Sequence, residues 1–253
     1  MTSVVLCSAS GAPGVTTAAL ALVWVWPQVT GGRRVVLVDA DPSGSGLLGG
    51  ALQARVAIET GLLALATDTR APDVDDLLAH SVALDGDRRR FILPGISDPV
   101  QAGSLAPLWA SFPDLAIDLH LAETDLVVDV GRLGHRDEPS GLIGDADILT
   151  VLQAPTIPAT VATAAIVRRL SAARAPRSAP APVVVGERRP YTVREVERAL
   201  GVPCHALSLD VRTAEALGSG DGSSGRLDRS LLLRSARSLA ESLLAGLPAE
   251  VRS

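Results

Sequence analysis

The chain contains no lysine: all 23 of its basic residues are arginines. Every mechanism that requires a lysine within this chain is therefore excluded. Cysteine is nearly absent as well. Cys7 and Cys204 alone, in 253 residues, rule out a disulfide scaffold and fit a reducing cytosol. Long apolar runs are missing, since Ala18 to Trp26 falls short of the roughly 18–20 residues that span a bilayer. The first basic residue is Arg33, so the positive n-region of a signal peptide is missing too, and a cytoplasmic protein is expected. Positive charge is in deficit, with a net charge of -5. Such a chain lacks the basic footprint that phosphate-backbone binding needs, and strong nucleic-acid binding is not expected.

What is present is a globular composition, 47% apolar and 20% charged. Its wealth of Ala, Gly, Val and Pro fits a high-GC genome. Short β-branched runs alternate with longer helical patterns, the signature of a parallel sheet covered by helices. Strands are predicted at Val4–Cys7, Arg34–Asp39, Arg90–Leu93, Leu126–Val130, Ile148–Leu152, Val183–Val185 and His205–Leu209. Helices are predicted at Thr16–Trp26, Asp73–His80, Leu105–Phe112, Leu115–Ala122, Ile157–Leu170, Thr192–Leu200 and Leu231–Leu247. The first should stop at Pro27, because the residue before a proline disfavours the helical region. Arg174 to Pro182 reads as a Pro/Ala loop and Gly218 to Gly225 as a Gly/Ser-rich one. No internal repeat is visible, and residues 1–253 read as one domain. The expected fold is α/β, with a mostly parallel sheet of seven or eight strands and helices on both faces.

The segment Ser8-Ala9-Ser10-Gly11-Ala12-Pro13-Gly14-Val15-Thr16-Thr17 lies between a strand and a helix. Such a loop presents backbone N–H groups and a helix N-terminus to an anion. Gly11 and Gly14 alone are a weak signal, because a tight strand–helix turn needs glycine without any ligand. The second strand ends Val38-Asp39-Ala40-Asp41-Pro42-Ser43-Gly44, and Asp129 ends another buried run. Each Asp taken singly can be a loop cap. Together they sit where parallel sheets bind ligands, and they could hold a hydrated Mg²⁺ against phosphates.

These motifs, in this order, resemble the ParA/MinD family of deviant Walker-A ATPases over nearly the whole chain. The family loop reads Lys-Gly-Gly-x-Gly-Lys-Thr-Thr; here the same slots hold Ser10-Gly11-Ala12-Pro13-Gly14-Val15-Thr16-Thr17. Asp39, Asp41, Pro42 and Gly44 match its second-strand motif, and Asp129 its Walker B aspartate. Ala146-Asp147 through Pro155 matches the following strand. Ala199-Leu200-Gly201, Pro203 and Asp210 match the tail. The resemblance implies a three-layer P-loop NTPase fold. It implies nucleotide binding by Gly11, Ala12, Pro13, Gly14, Val15, Thr16 and Thr17. Thr16, Asp39 and Asp129 would hold Mg²⁺ or its waters, and Asp41 would orient the attacking water.

The departures are as informative. Ser10 and Val15 stand where the family has lysines, Ala9 replaces the outer glycine, and Gly186 or Glu187 stands where the family often has an adenine-contacting Asn. A charge-assisted hydrogen bond to phosphate contributes about 1.5–3 kcal/mol. Its loss weakens binding by roughly one to two orders of magnitude. A transition-state cation is worth about 10³–10⁵ in rate. A second copy of the chain cannot supply a lysine, and Arg132 is the nearest replacement by sequence. The expected cofactors are thus ATP and Mg²⁺, weakly bound or absent, with little or no hydrolysis.

The eroded loop resembles the TadZ/CpaE branch of the family, whose members localise Tad-type pili or related secretion systems. The implied function is a scaffold or localisation switch that positions such a machine in an actinobacterium-like cell. A homodimer, and protein partners from a pilus, secretion or polarity system, go with it. An active partition or cell-division ATPase is the alternative. A dinucleotide reductase fits less well, because Gly11-x-x-Gly14 is not Gly-x-Gly-x-x-Gly. A hydrolase elbow is absent from Gly44-Ser45-Gly46. The last helix carries the apolar stripe Leu232, Ala236, Leu239, Leu243 and Leu244, as a docked core helix does, and membrane insertion is not expected. His205 and Arg88-Arg89-Arg90 read as structural residues, and Trp24 and Trp26 as core.

Overall fold

The computed structural model describes residues 1–57, 59–67, 71–173, 179–186, 190–221 and 227–247. The Arg174–Pro182 and Gly218–Gly225 connections lie partly outside these residues, and Glu187 and the Pro248–Ser253 tail wholly so.

Eight strands form one sheet: β1 (Ser3–Ser8), β2 (Arg34–Asp39), β3 (Val82–Ala83), β4 (Arg90–Leu93), β5 (Thr124–Arg132), β6 (Ile148–Gln153), β7 (Ala181–Val185) and β8 (His205–Leu207). Their order is β3-β4-β2-β5-β1-β6-β7-β8. Every pairing is parallel except that of β3 with β4. The inner strands read as continuous apolar runs because helices cover both faces and no residue alternates to solvent.

Two apolar layers result. One holds alternate strand residues such as Val4, Leu6, Val35 and Leu37, and packs α1 (Val15–Val29) and α10 (Leu231–Ala245). The other holds Val5, Cys7, Val36 and Val38 and packs the helices on the opposite face. These comprise α2 (Leu62–Leu65), α3 (Val74–Ala79), α4 (Ala106–Ser111), α5 (Ala116–Leu121), α6 (Ser140–Asp145) and α7 (Ile157–Ala173). Helices α8 (Val193–Leu200) and α9 (Val211–Gly218) follow β7 and β8. This is the three-layer α/β architecture expected. Each fully buried Leu, Ile or Phe, such as Leu37, Ile92 or Phe91, contributes roughly 1.5–3 kcal/mol.

Several local expectations are corrected. Helix α1 does not stop at Pro27 but runs through it to Val29. The proline lies in the last turn, and Trp26, fully buried before it, holds the chain helical. The backbone closes beyond with Thr30 N–H donating to Trp26 O at 3.1 Å. The stretches around Leu105–Phe112 and Leu115–Ala122 are shorter α-helical pieces joined by 3₁₀ turns, with Pro113 in the second turn. Strand β7 begins at Ala181, and β8 ends at Leu207. The edge strand β3 and helices α2, α6 and α9 have no counterpart in the sequence pattern.

Asp125 pins the N-terminal edge of the sheet. Buried on β5, it accepts from Thr2 N–H at 2.8 Å, Trp26 Nε1 at 3.0 Å, and Arg33 at 3.0 and 3.1 Å. The arginine triplet is structural. Arg90 pairs with Asp85 at 2.7 Å, while Arg88 lies over the Phe91 ring and Arg89 donates to Gly32 O. Trp26 is core, whereas Trp24 is half-buried, donates to Asp228 and lies against Arg90. His205 is half-buried beside Ser242 at 3.2 Å.

Candidate functional site

The strand order decides the site. β1 lies between β5 and β6, and β2 lies on the far side of β5. The loop after β1 therefore opens at the C-terminal edge of the sheet, beside the ends of β2 and β5. Asp39 and Asp129 face each other in register on β2 and β5.

The loop itself is built for close backbone approach. Gly11 and Gly14 have φ of 67° and 88°, the left-handed region that favours glycine. Gly14 precedes α1, and among the described residues no side-chain cap bond closes that helix N-terminus. An uncapped helix N-terminus is the kind of end that can take an anion. Ala12 is exposed, while Pro13, Thr16 and Thr17 are half-buried. Val15 is different: it is 7% exposed and packs into the core with α1 and α10.

Thr16 Oγ1 donates to Asp129 Oδ2 at 2.6 Å, so loop and strand end are already joined. Gly131 N–H donates to the other Asp129 oxygen at 2.9 Å. Asp39 Oδ2 accepts from Ser45 Oγ at 2.6 Å and from Gly95 N–H at 3.2 Å, while Oδ1 is buried without a partner. Asp41 is half-buried. Its carboxylate accepts from Ser43 N–H at 2.8 Å and lies against the Gly131 backbone, where a Cβ would collide with it.

Burial dominates the electrostatics. Asp39 and Asp129 are 2% and 0% exposed. Desolvation pushes Asp39 up to about 7, with the Asp129 charge adding to it. Burial pushes Asp129 up to about 6, against the stabilising bonds from Thr16 and Gly131. Two buried carboxylates side by side, one with an orphaned oxygen, are an unfavourable arrangement that a cation relieves.

Hard oxygen donors of this kind fit Mg²⁺, which is usually held by one or two carboxylates together with phosphates and water. Among the described residues, no three His, Cys, Asp or Glu side chains form a group able to hold a metal. The residues here that could hold such an ion are Thr16, Asp39 and Asp129, while Asp41 accepts from Ser43 in its own loop. Sequence reasoning missed Ser45 and Gly95, which orient Asp39. Ser45 follows on the same loop, and Gly95 follows the neighbouring strand β4, so no motif spacing marks either.

An eight-stranded, mostly parallel sheet, with a glycine loop and two aspartates at its C-terminal edge, defines the class: a ParA/MinD-type P-loop fold. Solved structures that resemble this chain include ParA/MinD-family ATPases. A ParA family ATPase from Chlorobium tepidum TLS has a TM-score of 0.76 at 15% identity, covering 94% of this chain and 97% of that one. MinD in the MinC:MinD cell division protein complex of Aquifex aeolicus has a TM-score of 0.64 at 15% identity, covering 94% and 95%. The septum site-determining protein MinD of Pyrococcus horikoshii OT3, complexed with Mg-ADP, has a TM-score of 0.62 at 17% identity, covering 100% and 98%. No protein-family profile matches the sequence, and no curated protein matches it. Among the described residues no helix is long and apolar enough to cross a membrane.

Proposed function

We propose that residues 1–253 act as a ParA/MinD-like scaffold or localisation switch with a degenerate nucleotide site, as in the TadZ/CpaE branch. Its role is to position a Tad-type pilus or secretion machine. One observation carries the reading: Thr16, Asp39 and Asp129 are assembled beside the glycine loop in a chain that has no lysine. The metal side of a phosphate site is kept and its lysine side is lost. The Mg-ADP bound by the similar Pyrococcus horikoshii protein supports nucleotide as the ligand class. Bound Mg²⁺ would offset phosphate charge. Thr16, Asp39 and Asp129 would hold it or its waters, and the backbone from Gly11 to Thr17 would cradle the phosphates. Asp41 would orient water, but without a lysine to stabilise the transition state turnover is weak or absent.

The chain works as a cytoplasmic homodimer recruited by protein partners, as the Aquifex aeolicus relative is seen with MinC. Apolar side chains at the phosphate-loop edge of the sheet support an interface there. Ile157 and Val161 after β6, and Leu209 and Val211 after β8, are 57–65% exposed. Loss of the two loop lysines favours a weak dimer that forms without nucleotide. Phosphate release by the wild-type chain, with Asp41→Ala as control, tests the reading. The expected rate is at background; robust turnover abolished by the control would instead establish an active partition-type ATPase. A strict monomer by light scattering at high concentration, with and without ATP, would remove the homodimer. A fluorescent fusion spread evenly through cells that assemble a pilus or secretion machine would remove the positioning role.

A further inference from the structure

The wall facing the phosphate loop carries a cation of its own. Strand β5 ends at Arg132, which is exposed and lies in register opposite Ser8, where the loop begins. The backbone there is held firmly. Leu133 N–H donates to Ser8 O at 2.9 Å, and the Leu133 side chain is buried. Gly131 and Gly134, with φ of 61° and 100°, turn the chain on either side. Between this wall and the loop lies an open cleft of about 290 Å³, bordered by Ser10, Ser43, Arg132 and His135. Ser10 and Ser43 are uncharged, and Arg132 and His135 are the basic groups of the cleft. Asp39, Asp41 and Asp129 stand at the same sheet edge, so an anion entering there needs a counter-charge beyond the metal.

We propose that Arg132 binds the terminal phosphate of a magnesium-bound nucleoside triphosphate in this cleft, in place of a lysine on the loop. The proposal rests on the nucleotide reading of the site and adds the group that receives the outermost phosphate. A guanidinium presents a planar fork of donors that matches two phosphate oxygens, and it stays charged at every working pH. Anchored on β5 and not on the loop, it reaches the phosphates from the side of the Walker B aspartate. A diphosphate, bound through the loop backbone and the metal, would engage it less.

Calorimetric titration of the full chain with Mg-ATP and with Mg-ADP tests this. The variants are Arg132→Gln, Arg132→Lys and Arg136→Gln; Arg136 is exposed on the same connection and is not part of the cleft wall. Arg132→Gln should weaken Mg-ATP binding by about ten- to a hundredfold and Mg-ADP binding by much less. Arg132→Lys should retain part of the affinity, and Arg136→Gln should bind as the wild type does. Unchanged Mg-ATP affinity in Arg132→Gln overturns the proposal alone. So does an equal loss in Arg136→Gln, which would be a general charge effect, or an equal loss for the two nucleotides. A wild-type chain that binds neither nucleotide overturns the nucleotide reading, and this proposal with it.

Discussion

Replacing Asp39 with asparagine should stabilise the ligand-free chain at neutral and alkaline pH. Asp39 is buried at the end of β2, and its carboxyl is pushed up from 3.8 to about 7, first by burial and then by Asp129. Between those values the folded chain keeps a proton that the unfolded chain has released. The folded state binds more protons there, so stability falls as pH rises through the window and levels off above about 7. At about 1.4 kcal/mol per pH unit, the ceiling of the effect is roughly 4 kcal/mol. Asparagine removes the ionisation and retains an oxygen for the Ser45 hydroxyl and the Gly95 N–H. Its amide nitrogen takes the place of the orphaned Oδ1, beside Asp129. Half or more of the ceiling should survive, about 2–4 kcal/mol above pH 7, shrinking toward zero near pH 4. Urea denaturation of both proteins across that range measures it. An Asp39→Asn chain no more stable than wild type at pH 8, or a gain equally large at pH 4, would refute the reasoning. In the same assay Mg²⁺ should stabilise the wild type more than the variant.

Val15→Lys should tighten nucleotide binding by about tenfold or more, with much less effect on turnover, as read by labelled-nucleotide anisotropy and phosphate release. Because Val15 is buried against the core, the same change should lower the melting temperature; a lower melting temperature with unchanged affinity would count against the loop as a phosphate site. Asp125→Ala should cost about 3–5 kcal/mol in urea unfolding, because it leaves Arg33 unpaired and strips acceptors from Thr2 and Trp26. A loss under about 1 kcal/mol would show that this network does not anchor the sheet edge.

The central architecture was legible in the chain itself. Val35-Val36-Leu37-Val38 and Leu126-Val127-Val128 read as strands buried on both faces, being short, rich in β-branched valine and without a polar residue alternating to meet water. The glycine loop and the Asp39–Gly44 segment were legible through their combination and order, since each taken alone is an ordinary turn. What tertiary structure alone decided is who meets whom. Nothing local places Asp39 beside Asp129 or Arg132 opposite Ser8, because strand order arises from packing helices onto two faces of one sheet. Packing also overrode local rules. Pro27 stays inside α1 because the core holds the helix around Trp26, and a two-residue strand such as β3 exists only because β4 offers it an edge. The raised carboxyls of Asp39 and Asp129 belong to the same category. Desolvation depends on everything that packs around a group, and much of what closes around these two is distant in sequence: Asp129 and Gly95 at Asp39, Thr16 at Asp129.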